Sequence, residues 1–266
     1  METREEEEFA GRSVVITGAA DGIGIVLVQR FLTRGARVFA VDRDQDALDR
    51  LQAEHGKSSK LSTVVLDVSD EAQCRDFAAR VRSEWKVADV LINAAGYFPL
   101  TPFEELTYAQ WREIIAINLD GPFLVTHNLL PLLKRSQAGR IIFFSSASIY
   151  AGMPEQCPYV AAKAGLIGFT RSLAKVVGEH GITVNAVTPG LTVTAPIKKL
   201  FPANALAQAA QSRALKRDEQ AEDLVGAVYF LASEDATFIT GQIINVDGGA
   251  RVSLKQQQTK ALQILL

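Results

Sequence analysis

A chain of 266 residues, 48% of them hydrophobic, can bury a sizeable core, and its length suits one large α/β domain as well as two small ones. Its formal charge of −2, from 28 Lys and Arg against 30 Asp and Glu, leaves no basic surplus for a phosphate backbone, so nucleic acid is not an expected ligand. Cys74, Cys157, His55, His127 and His180 show neither metal-ligand spacing nor a disulfide framework, and no metal is expected. The opening "METREEEE" lacks the apolar run of a targeting segment, and no window approaches the roughly 20 apolar residues of a membrane span. The expectation is a cytoplasmic protein with no membrane contact.

In chain order, short β-branched runs alternate with longer amphipathic stretches, the rhythm of βα units around a parallel sheet buried on both faces. Strands are expected at residues 13–17, 37–41, 63–66, 90–92, 140–144, 183–187 and 242–246, and helical periodicity marks 23–33, 72–85, 108–133 and 159–177. No linker or repeat interrupts the pattern, so residues 11–250 read as one catalytic domain, preceded by an acidic segment at 1–10. Residues 191–217, rich in Ala, Pro, Lys and Gln, break the rhythm as either a cover over a ligand or a surface excursion. The tail at 251–266 either reaches a neighbouring subunit or frays.

The first expected strand runs into Thr17-Gly18-Ala19-Ala20-Asp21-Gly22-Ile23-Gly24 before a helix begins. Glycines at a strand-to-helix turn let the backbone approach a ligand, and the helix N-terminus offers N–H groups and positive dipole to a pyrophosphate. The spacing, G-x-x-x-G-x-G, departs from the G-x-G-x-x-G fingerprint, and a purely structural turn is the alternative. The second strand, "RVFAVD", ends in Asp42, where a carboxylate would accept hydrogen bonds from an adenosine ribose, which points to a dinucleotide. A 2′-phosphate about 4 Å from that carboxylate meets repulsion of order 4 kcal/mol at an effective dielectric near 20, so NAD is expected over NADP. Arg43 partly offsets this, while Asp21 adds a second negative charge beside the turn.

In "CPYVAAKAG", Tyr159 and Lys163 stand four apart in a helical run, so their polar ends share one face. Spacing alone favours the reading of a solvated helix face. With the glycine turn, Asp42, "NAAG" at Asn93 to Gly96 and this pair, the chain resembles the short-chain dehydrogenase/reductase family in its single-domain form. Further motifs fall in family order: Asp67-Val68, Asn118 in "IIAINLDGPF", "GRIIFFSS" ending at Ser146, "VNAVTPG" and "TGQIINVDGG". The resemblance implies a Rossmann-like, doubly wound, seven-stranded parallel sheet with helices on both faces, a nicotinamide cofactor, and a homotetramer.

It also implies roles. Tyr159 would be the general acid/base, Lys163 its partner and ribose clamp, Ser146 the substrate-orienting hydroxyl, and Asn118 the holder of a proton-relay water. The spacing of 13 residues from Ser146 to Tyr159 in the family pattern selects Ser146 over Ser145 and Ser148. Gly18, Asp21, Gly22, Ile23 and Gly24 would face the pyrophosphate, Asp42 the ribose, Asp67 and Val68 the adenine, and Asn93 and Gly96 the adenosine side. Pro189, Gly190, Thr192 and Thr194 would meet the nicotinamide carboxamide and pyrophosphate. One departure is Ala94, where the family often has a second asparagine. The segment "GYFPLTPFEELTYAQWREIIAINLDGPF" looks similar to bacterial secondary-alcohol dehydrogenases of 1-phenylethanol type.

Chemically, a carbinol gives up hydride only as its hydroxyl proton leaves, so a base must sit within hydrogen-bond reach. A phenol with pKa near 10 must fall by about two units, about 2.7 kcal/mol, and an ammonium about 4 Å away supplies about 4 kcal/mol before desolvation. Phe98, Ser148, Tyr150 and Cys157, with Tyr97, Met153 and Gln156, form the expected substrate pocket, whose apolar character suits a neutral hydrophobic or aryl alcohol or ketone. Lys198 and Lys199 are open as contacts for an anionic tail. A ketoreductase of acyl-thioesters, a polyol or sugar dehydrogenase, and a non-catalytic dinucleotide sensor remain alternatives.

Overall fold

The computed structural model describes residues 8–55 and 58–250, so the expectations for 251–266 and for most of 1–10 lie outside the described residues. Seven strands form a wholly parallel sheet: β1 (Ser13–Thr17), β2 (Arg37–Asp42), β3 (Leu61–Val65), β4 (Val90–Asn93), β5 (Arg140–Phe144), β6 (Thr183–Pro189) and β7 (Ile243–Val246). Their spatial order, β3-β2-β1-β4-β5-β6-β7, reverses direction between β1 and β4. Chains leaving those two strands diverge to opposite faces, which opens a crevice beyond their C-terminal ends.

Successive strand residues point to opposite faces, and each face carries its own core. Val14 and Ile16 pack with Leu27, Phe31, Leu48 and Val228, which come from α1 (Gly22–Thr33), α2 (Gln45–His55) and a late helix at Glu222–Ala232. Val15, with Phe39, Leu91 and Phe143, packs against Phe77, Leu129 and Leu166 on the other face. Those three come from α3 (Glu71–Glu84), α5 (Gly121–Leu133) and α7 (Cys157–Val177). Burial on both faces is why the strands read as near-continuous apolar runs rather than as alternations.

Two expectations needed revision. Strand 3 spans Leu61–Val65 rather than 63–66, because its ladder to β2 pairs Val38 with Leu61 and stops where Asp42 meets Val65. The helix expected at 108–133 is three pieces: α4 (Tyr108–Ile115), a π turn (Ala116–Asp120) and α5. Pro122 has no N–H for the carbonyl four residues back, that of Asn118, and the Gly121 N–H reaches five residues back to Ala116 instead. Segment 191–217, where the rhythm breaks, contains α8 (Ala195–Leu200) and α9 (Ala203–Ser212). The remaining helices are α6 (Ser148–Ala151) and α10 (Glu222–Ala232). Among the described residues, no helix is long and apolar enough to cross a membrane, and no three His, Cys, Asp or Glu side chains gather as a metal site.

At the opposite end of the sheet from the crevice, Asp89 accepts hydrogen bonds from the Ser13 N–H at 2.8 Å, the Ser13 hydroxyl at 2.7 Å and the Ser136 hydroxyl at 2.6 Å. Asp89→Ala should lower unfolding free energy by about 3 kcal/mol in urea titration, because it strands the Ser13 N–H.

Candidate active site

The crevice is lined first by the β1–α1 turn. Gly18 has φ +67, and a Cβ there would lie 2.7 Å from the Ala95 Cα, so only glycine lets β1 and the exit of β4 approach so closely. A Cβ on Gly24 would overlap the Gly18 carbonyl oxygen. Helix α1 therefore starts tight against the strand it follows, with its N-terminus facing the crevice. Asp21 caps that helix, its Oδ1 accepting the Gly22 N–H at 2.6 Å, which is a structural use of the charge beside the turn. Asp42 is held at the rim: Oδ2 accepts the Ala20 N–H at 3.1 Å and Oδ1 the Asp44 N–H at 3.2 Å.

Deeper in the crevice, the end of β5 meets α7. The Ser146 Oγ accepts two hydrogen bonds from Ser148, one from its N–H at 3.2 Å and one from its hydroxyl at 2.9 Å. Its own O–H is thereby left for the Tyr159 oxygen, with which it is hydrogen-bonded. The Lys163 side chain, 3% exposed, donates from Nζ to the Phe144 carbonyl at 2.9 Å, while its own carbonyl accepts the Ser145 hydroxyl at 2.8 Å. Burial pushes the Tyr159 phenol up to about 12, opposed by the Ser146 bond, and burial pulls the Lys163 ammonium down to about 8. Nζ lies 5.6 Å from the Tyr159 ring centroid and donates to the Phe144 carbonyl, and it is desolvation of the phenol that moves it up.

These groups share one cleft of about 1660 Å³, running from Asp42 past the glycine turn to Tyr159. Every cofactor and pocket residue expected from sequence lines it except Asn93 and Cys157. Asn93 points into the protein instead, its Nδ2 donating to the Thr126 hydroxyl at 3.3 Å, because strand alternation turns it away from the cleft. Cys157 is turned back on its own loop, its thiol donating to the Pro154 carbonyl at 3.4 Å. The Asn118 side chain also lies behind the wall. It is fully buried, accepts the Tyr97 N–H at 3.2 Å, and donates to the Tyr97 carbonyl at 2.7 Å and the Ile114 carbonyl at 2.9 Å. That side chain braces the loop after β4 against the π turn, using both of its N–H groups and one of the two lone pairs of its oxygen.

Sequence reasoning missed Ala20, whose backbone holds Asp42, and Arg50, which shares the cleft rim with Arg43. Ala20 lies within the glycine turn but carries no side-chain signal, Arg50 belongs to no motif, and only the tertiary arrangement shows what they meet. A close-packed glycine backbone, a fixed carboxylate and a cleft of this length fit a dinucleotide, with the glycine turn and Asp42 as its holders.

Residues 18–251 match the family model described as Enoyl-(Acyl carrier protein) reductase. The chain is 36% identical over 240 residues to the 3-oxoacyl-[acyl-carrier-protein] reductase FabG of Thermotoga maritima, covering 90% of this chain and 97% of that one. It is equally 36% identical, over 244 residues, to the cis-4-hydroxycyclohexanecarboxylate dehydrogenase of Sinomonas cyclohexanicum, covering 91% and 98% of the two chains. A solved short-chain dehydrogenase/reductase from Brucella melitensis, titled as a glucose/ribitol dehydrogenase, superposes with a TM-score of 0.87 at 30% identity, covering 92% of this chain and 98% of that one.

Two outcomes follow from the geometry. Gly24→Ala should destabilise the fold by about 3 kcal/mol or more, read as a drop in Tm, since backbone must move to admit the methyl group. Lys163 should leave a pH signature. Its ammonium titrates near 8 when folded and near 10.5 when unfolded, so burying the charge costs about 3 kcal/mol below pH 8, a cost relieved as pH rises towards 10.5. Wild-type stability relative to Lys163→Met should therefore climb across that window in urea titrations; a flat difference would contradict a buried ammonium.

Proposed function

The chain belongs to the short-chain dehydrogenase/reductase family, and from that membership we propose that it transfers hydride between a secondary alcohol or ketone and a nicotinamide dinucleotide, with NAD preferred. The carrying observation is the Tyr159–Ser146 hydrogen bond at the inner end of a cleft whose outer rim holds Asp42. When bound, the nicotinamide accepts or supplies the hydride. The glycine turn and Asp42 hold the dinucleotide by its pyrophosphate and ribose, Ser146 holds the substrate oxygen, and Tyr159 gives or takes the proton at that oxygen.

A phenol raised to about 12 is a secure proton donor, which suits carbonyl reduction. In the oxidative direction it must lose its proton. A cation about 4 Å away offsets a rise of two units, about 2.7 kcal/mol, by about 4 kcal/mol at an effective dielectric near 20. Lys163, one helical turn beyond Tyr159, supplies that cation if its Nζ leaves the Phe144 carbonyl.

The inner cleft supports a neutral hydrophobic or aryl substrate. The Phe98 ring stands 6.0 Å from that of Tyr159 at 66°, and Met153, Tyr150, Ile197, Leu200 and Phe201 continue the wall. A second reading, reduction of 3-oxoacyl thioesters, is favoured by the name of the Thermotoga relative and by Arg43, Arg50 and Lys199 on the cleft wall. The same arginines bear on the cofactor, because they oppose the repulsion that Asp42 imposes on a 2′-phosphate. The family's homotetramer belongs to this proposal; Phe123 and His127, stacked at 5.5 Å on the exposed face of α5, lie where long helices of two copies would pack.

Tyr159→Phe should retain NADH binding and lose about 10³-fold in kcat, since it removes the proton and little else. Undiminished turnover would remove Tyr159 from its role. The ratio of kcat/KM for NADH over NADPH should exceed one by at least about tenfold, the equivalent of 1.4 kcal/mol. Aryl ketone, polyol and 3-oxoacyl thioester substrates in one panel separate the two readings.

A further inference from the structure

On the far side of the cleft wall from Tyr159 sits a carboxylate that the proposed reaction does not use. Glu219 is 4% exposed. Its Oε1 accepts the Thr192 hydroxyl at 2.7 Å, while its Oε2 has no hydrogen-bond partner and lies 3.9 Å from the Arg213 Nη2. That second oxygen occupies the space beside Gly190: a Cβ there would overlap it and would stand 3.2 Å from the Asp247 Cα.

The surrounding backbone is fastened in the same way. The Val193 N–H donates to the Glu219 carbonyl at 2.7 Å, within a parallel bridge that pairs Thr192 with Glu219. Arg213, 3% exposed, donates from Nη2 to the Leu191 carbonyl at 2.7 Å and from Nη1 to the Arg217 carbonyl at 2.9 Å. Three successive residues, 191 to 193, are therefore each tied to the stretch from Arg213 to Glu219. On their other side, Gly190, Leu191, Thr192 and Thr194 line the cleft, whereas Glu219 does not.

Burying a carboxylate is costly, and a threonine hydroxyl can be satisfied by a neutral acceptor, so general stability does not account for the pair. A carboxylate accepts and cannot donate, which commits the one hydroxyl proton of Thr192 to the side away from the cleft. We propose that Glu219 is a positioning residue: through Thr192, and by filling the space beside Gly190, it sets the placement of residues 190–194 over the inner half of the cleft. This rests on the dinucleotide reading above, under which that half receives the nicotinamide and the Asp42 half the adenosine.

The test measures dissociation constants for NADH and for ADP by calorimetry, with Tm alongside, on wild type, Glu219→Ala, Glu219→Gln and Thr192→Val. Glu219→Ala and Thr192→Val should each weaken NADH about tenfold and leave ADP unchanged, because one charge-assisted hydrogen bond is removed at the nicotinamide half alone. Glu219→Gln, whose side-chain carbonyl still accepts the Thr192 proton, should restore most of the NADH affinity. The double variant Glu219→Ala/Thr192→Val should be no weaker than either single one, as expected for two ends of one contact. Equal weakening of NADH and ADP, or a lowered Tm with both affinities intact, would make Glu219 a purely structural residue and overturn the inference. If Glu219→Ala does not fold, Glu219→Met, which fills the space beside Gly190 but cannot accept the Thr192 proton, decides the same question by the same NADH and ADP measurements. A wild type that binds neither ligand would instead bring down the dinucleotide reading, and this inference with it.

Discussion

The site depends on how closely three backbone segments approach one another where the sheet changes direction. No room exists for a methyl group between Gly24 and the Gly18 carbonyl, or between Gly18 and the Ala95 backbone. This contact sets helix α1 against β1, brings the exit of β4 to the same point, and aims the N-terminus of α1 into the crevice. Asp42 is placed by the same turn, through the Ala20 N–H. A larger side chain at either glycine would therefore disturb the turn and the placement of Asp42 together. The remainder of the cleft is built outwards from that contact.

At the inner end, burial rather than charge pairing sets the electrostatics. Desolvation moves the phenol and the ammonium in opposite directions, each towards its neutral form. The two are one helical turn apart, yet the lysine's hydrogen bond goes to the Phe144 carbonyl at the end of β5. Under the proposed function, a phenol moved up by burial is suited to donating a proton. The apolar wall beside Tyr159 maintains the low dielectric that makes any later charge effective.

Parts of the cleft wall are held by polar contacts that run through the protein interior. Asn118 ties the loop after β4 to the π turn with two hydrogen bonds to Tyr97, and Arg213 and Glu219 hold residues 191 to 193. These side chains bond backbone more than they bond one another, which fixes loop geometry where no regular ladder exists. Segments at a ligand site that must keep one shape without sheet or helix pairing need such braces.

The sequence by itself determined the order and nature of the elements, because burial on both faces of a parallel sheet enforces apolar strand runs that survive in a single chain. The glycine turn, Asp42, Ser146, Tyr159 and Lys163 were legible for a related reason: fixed spacing within one turn or one helix face is a local property. The directions of Asn93, Cys157 and Asn118 were not, since a side chain beside a motif can face the cleft or the core according to strand parity and loop packing. The break at 116–120 required knowing that Pro122 would fall inside a helix rather than beyond its end. Glu219 left no mark at all, because its partners Thr192 and Gly190 lie 27 and 29 residues earlier in the chain. Tertiary structure alone decided that the lysine's hydrogen bond goes to the Phe144 carbonyl, since that bond is a contact between α7 and β5 and not a matter of spacing in the helix.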